Sequence, residues 1–121
     1  MSITVRLAKG LVVDGEPQRE AVLKPLSARD IIEAGQAAER LVYGEDGPVL
    51  LVSPSRMGAE LLARQIERIG SVPGPISLGM FDKLSSEDLA LLQAAAGDLD
   101  QAVASEVAAR GRDRPAGAGA D

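Results

Sequence analysis

A chain of 121 residues with one tyrosine, one phenylalanine and no tryptophan must build its interior almost without rings. Each buried aromatic would bring ~150–250 Å² of apolar area. In their absence Leu, Ala, Val and Ile have to supply the core through many small contacts, and packed helices do this most readily. The length suits one domain, since single domains commonly run ~100–150 residues. At 45% hydrophobic and 26% charged residues, the chain can bury a core and is not disordered throughout.

Missing residue types exclude much chemistry. Without cysteine there is no disulfide, thiolate metal site or cysteine nucleophile. Without histidine the commonest general base and metal ligand is gone. Neither G-x-x-x-x-G-K-[ST] nor G-x-G-x-x-G occurs, so no phosphate-cradling loop is expected. Eighteen acids against thirteen bases give a net charge of −5, which repels nucleic acid and anionic membranes. Met1–Arg6 lacks the apolar run of an export signal, and the longest apolar runs, such as Pro48–Val52, are far shorter than the ~20 residues of a membrane span. The expectation is a cytoplasmic protein, not an enzyme, that uses no cofactor or metal and acts on other proteins.

Local patterns order the chain. Ile3, Val5 and Leu7 alternate with Thr4 and Arg6 as in a half-buried strand, and a second extended run covers about Arg19 to Lys24. Asp14-Gly15 supplies the turn between them, and Leu11–Val13 extends the first strand across a bulge at Gly10. Ser27 caps a helix starting at Ala28, whose stripe of Ile31, Ala34, Ala38 and Leu41 runs to Tyr43-Gly44. Val49–Val52 reads as a short strand able to join the hairpin as its third. A second helix from Ser55 carries Met57, Leu61, Leu62, Ile66 and Ile69 and closes at Gly70. Ser71–Pro75 reads as a linker, and Ile76–Lys83 as a turn of helix or a loop crossing the core. Ser85 caps a third main helix. The whole is an α+β fold, an N-terminal β-hairpin packed against three main α-helices, with residues 1–109 as a single domain and 110–121 as a flexible Gly/Ala-rich tail.

Acids gather at Asp82, Glu87, Asp88, Asp98 and Asp100. Paired carboxylates can do acid/base work or hold Mg²⁺ or Ca²⁺, but Glu87 and Asp88 fall in a helix's first turn, where the dipole favours acids, and Asp98 and Asp100 lie outside the apolar stripe. All five are read as solvent-facing. Arg56, Arg64 and Arg68 share one helix and could meet phosphates, yet Glu60 and Glu67 interleave with them. The remaining feature is apolar: Leu89, Leu92, Ala96, Leu99 and Val103 recur at spacings of three and four, the narrow seam by which one helix meets another. That seam either completes the protein's own core or engages a partner helix or a second copy.

The order of Leu23-Lys24-Pro25-Leu26-Ser27-Ala28-Arg29-Asp30, Ile66-Glu67-Arg68-Ile69-Gly70 and Phe81-Asp82-Lys83-Leu84-Ser85-Ser86-Glu87-Asp88-Leu89 resembles the tail assembly chaperones of Mu-like contractile-tailed bacteriophages and prophages. The resemblance covers residues 3 to 105. It implies a non-enzymatic role in tail building in the host cytoplasm: binding the long, largely helical tape measure protein and keeping it soluble until tube subunits polymerise. It also implies a longer, frameshifted form that recruits the tail tube protein, with the chain after Ala109 as a flexible join. On this view Leu89, Leu92, Ala96, Leu99 and Val103 are the partner-binding candidates. Two other readings are a small DNA-binding regulator using Arg56, Arg64 and Arg68, and a structural tail or connector protein that assembles with itself.

Overall fold

The Asp14-Gly15 pair reverses the chain where the sequence predicts. Both residues adopt positive φ (51° and 81°), and they join β1 (Ile3–Val13) to β2 (Glu16–Leu23) in antiparallel register. A computed structural model describes residues 1–112, so residues 113–121 of the expected tail lie outside the described residues. Pairing of β1 with β2 breaks between Arg6 and Leu11, the bulge foreseen at Gly10. Gly10 has φ +81°, and a Cβ there would lie 2.5 Å from the Gln18 carbonyl oxygen, too close for any side chain. Gly10→Ala is expected to cost about 2–4 kcal/mol, from the left-handed backbone and the clash together. Urea unfolding of the variant checks this.

Beyond the hairpin the sheet differs from expectation. Its third strand is β5 (Ile66–Ile69), antiparallel to β2, followed by the short β6 (Val72–Pro73), giving the order β1-β2-β5-β6. The second helix, α2 (Pro54–Gln65), therefore stops before Ile66, and the supposed linker contributes a strand. Ile66 and Ile69 are fully buried in the sheet, and the Gln65 carbonyl accepts from Lys24 N at 2.8 Å, so long-range pairing overrides a stripe that continues at helical spacing.

The first helix also ends early. In α1 (Ala28–Ala37) Ser27 and Asp30 form the reciprocal capping box, while Ala38 closes the other end. Residues expected as its last turns form β3 (Glu39–Gly44), paired with β4 (Gly47–Val52) in a separate two-stranded sheet. Val49–Val52 is thus a strand, as read, but joins its own neighbour and not the N-terminal hairpin. α3 (Leu78–Phe81) is the expected helical turn, and α4 (Ser86–Arg112) runs three residues past Ala109.

The core forms where α2, α3 and α4 cover the four-stranded sheet: Leu7, Leu11 and Leu23 from the strands, Leu62 from α2, Phe81 from α3, and Leu92 and Leu99 from α4. Phe81 is its one ring, as the composition requires. Asp88 also corrects the sequence reading. It is fully buried, not solvent-facing, and its carboxylate accepts from the backbone N–H groups of Ala8 (2.6 Å), Lys9 (3.2 Å) and Gly10 (2.8 Å). Its own N–H donates to the capping Ser85 Oγ at 3.1 Å. The bulge that Gly10 creates thus presents a nest of donors, and the first turn of α4 plugs it.

Candidate partner-binding surface

The five seam residues sit on the face of α4 that turns inward. Leu92, Ala96 and Leu99 are buried, while Leu89 and Val103 are half-buried against the core. Leu92, Ala96 and Leu99 thus serve the protein's own core, one of the two roles the sequence leaves open for the seam. Two of the five nevertheless border open space: Leu89 and Ala96 line a groove of about 590 Å³ between α2 and α4.

That groove is apolar along most of its length, with Leu26, Leu61 and Phe81 among its lining. Gly58 on α2 and Gly97 on α4 form part of its walls, and a Cβ at either would meet nothing within 4 Å. Gly97 weakens α4 by about 1 kcal/mol relative to Ala, and the structure returns no internal packing for that cost. What it does leave is room. At one end the groove turns polar, where the buried Gln65 donates from Nε2 to Asp100 Oδ1 at 3.0 Å.

A second apolar surface was not singled out from the sequence. In the β3–β4 hairpin Leu41, Val42, Tyr43, Val49, Leu50, Leu51 and Val52 are all between 44% and 77% exposed. The register places Leu41 opposite Leu50 and Tyr43 opposite Pro48 on one face, with Val42 opposite Val49 on the other. Both faces are therefore greasy, as in a strand pair that is covered on both sides. The hairpin is tied to the body at its base, where Ser53 N donates to the Ala38 carbonyl at 3.0 Å. The sequence signal was the apolar run itself, hidden by the helical spacing of Leu41.

The three arginines read as a possible DNA contact are each engaged within the protein. Arg64 pairs with the buried Glu60 and lies 3.9 Å from Glu33; Arg56 lies 3.8 Å from Glu60; Arg68 pairs with Glu20 at 2.6 Å. Every member of the trio proposed for DNA contact faces an acid. Lys24 is likewise 3.6 Å from Asp30, and Ser27 is occupied as a cap. Among the described residues no group of three His, Cys, Asp or Glu side chains could hold a metal ion, and no helix is long and apolar enough to cross a membrane.

Comparison with known proteins gives the family. The family model described as tail assembly protein gp41 matches residues 7–112. The probable tail assembly protein gp41 of Escherichia phage Mu is 46% identical over 92 residues, 76% of this chain and 64% of the relative. The probable tail assembly protein FS-gp41 of the same phage is also 46% identical over 92 residues, which are 49% of its length. The Mu-like prophage FluMu protein gp41 of Haemophilus influenzae is 39% identical over 107 residues, 88% of this chain and 84% of the relative. The chain thus spans just under two thirds and about half of the two phage Mu relatives. No solved structure matches it. With the family model covering nearly all the described residues, and relatives above one third identity, the chain belongs to the tail assembly protein gp41 family of Mu-like phages and prophages.

Proposed function

We propose that this protein is a non-enzymatic tail assembly chaperone that binds the tape measure protein in the host cytoplasm and keeps it soluble for tube polymerisation. The observation that carries this reading is the groove between α2 and α4: apolar, glycine-walled and open along two helices. An amphipathic helix can lay its apolar face into such a groove, with small residues allowing close approach. The protein's net charge of −5 then keeps the covered complex soluble. The tail tube protein is the second partner, recruited in a longer product by a segment following α4. That helix leaves the core well before its end, with Val107 59% exposed, and can serve as a stalk.

Co-expression with the tape measure protein of the same phage or prophage tests the reading. A soluble complex that co-purifies is the expected result. A partner that stays as insoluble with the chaperone as without it overturns the proposal.

A further inference from the structure

Asp100 is the one ionisable side chain in the lining of the α2–α4 groove, and it stands there without a cation. The residues three and four positions away on α4 are Ala96, Gly97, Val103 and Ala104, and among the described residues Asp100 takes part in no ion pair. Acids elsewhere are matched: Glu60 meets Arg56 and Arg64, and Asp30 meets Lys24. The buried Gln65 donates to Oδ1 of Asp100, which fixes the carboxylate at the groove's end and leaves Oδ2 to an incoming donor. On α4 the lining runs from Leu89 to Asp100, and on α2 from Pro54 to Gln65. Each wall is thus about three helical turns, ~16 Å, long.

We infer, resting on the chaperone reading, that the helix taken by this groove is a cationic one. It presents an apolar stripe of about three turns, with a lysine or arginine against Asp100, one turn from the residue seated on Gly97. A docked helix strips water from one flank of Asp100, and a carboxylate that loses water without gaining an opposite charge weakens the complex. A helix that is apolar throughout is therefore penalised, and one with an acid at that place is repelled. A lysine or arginine reverses the sign, because its stem covers apolar lining while its head reaches the carboxylate. Gly97, one turn before Asp100, leaves the space in which the neighbouring side chain of the partner settles. The chain's net charge of −5 draws a cationic helix in the same direction.

Titration calorimetry of the full chain against a soluble helical fragment of the tape measure protein, at low and at high salt, tests this. Asp100→Asn keeps an oxygen to accept from Gln65 and removes the charge, so it should melt as the native chain does. Its affinity at low salt should fall about tenfold, and the difference should shrink at high salt. Replacing the lysines and arginines of the fragment one at a time by glutamine should expose one whose loss costs the native chain about tenfold and Asp100→Asn nothing. An Asp100→Asn chain that binds as the native one does overturns the inference and leaves the chaperone reading standing. A variant that binds more weakly yet couples to no basic residue of the fragment also overturns it, since Asp100 then serves only to hold Gln65. A native chain that does not bind the fragment overturns the reading and the inference together.

Discussion

Asp88→Ala will lower the stability of the protein by about 3 kcal/mol or more, measured by urea unfolding at neutral pH. The carboxylate satisfies the N–H groups of Ala8, Lys9 and Gly10 together, and each donor left without a partner costs ~1–3 kcal/mol where water cannot reach it. The alanine side chain offers no acceptor in place of the carboxylate. Acidity gives a second check. Burial by itself would raise the Asp88 pKa, but the donors from Gly10, Ala8 and Lys9, aided by Ser85, outweigh it and hold the carboxyl below the ordinary aspartate value. A group whose folded pKa is depressed stabilises the fold above its unfolded pKa, near 3.9, and loses that contribution as pH falls through the folded value. The stability gap between the native chain and Asp88→Ala should therefore be full at pH 7 and shrink below about pH 4. Asp30, also lowered chiefly by the backbone N–H of Ser27, titrates in both proteins and cancels from the difference.

If the proposed function holds, Gly97→Phe will abolish capture of the tape measure protein while leaving the protein folded. Its side chain enters the α2–α4 groove, where a Cβ meets nothing within 4 Å, so the core is not disturbed. The ring then occupies the space an incoming helix needs. A loss of at least about 100-fold in affinity is expected, measured by titration calorimetry against a soluble helical fragment of the partner. Gly97→Ala is the control: it should bind as the native chain does and melt higher, because alanine favours the helix by up to about 1 kcal/mol.

Much of the fold was legible because its signals are local. The Asp14-Gly15 turn, the bulge at Gly10 and the capping box of Ser27 with Asp30 each need only neighbours within a few residues. The failures share one cause. Leu41 continues the α1 stripe, and Ile66 and Ile69 continue that of α2, at helical spacing, which long-range strand pairing overrides. What decides is pairing with Val49–Val52 in one case and with β2 in the other. Asp88 reads locally as a first-turn acid, since its donors lie 78 to 80 residues away. The apolar stripe of α4 was visible, but no periodicity can say whether a stripe meets its own sheet or a stranger. The groove depends on how far α2 and α4 stand apart, which no segment encodes alone.

A cysteine-free chain allows one label at one site. A nitroxide on Gly97→Cys, read by electron paramagnetic resonance while the helical tape measure fragment is added, is expected to become immobilised, whereas a label on Val107→Cys, outside the groove, stays mobile. A label at position 97 that keeps its free motion with the fragment bound would contradict the account.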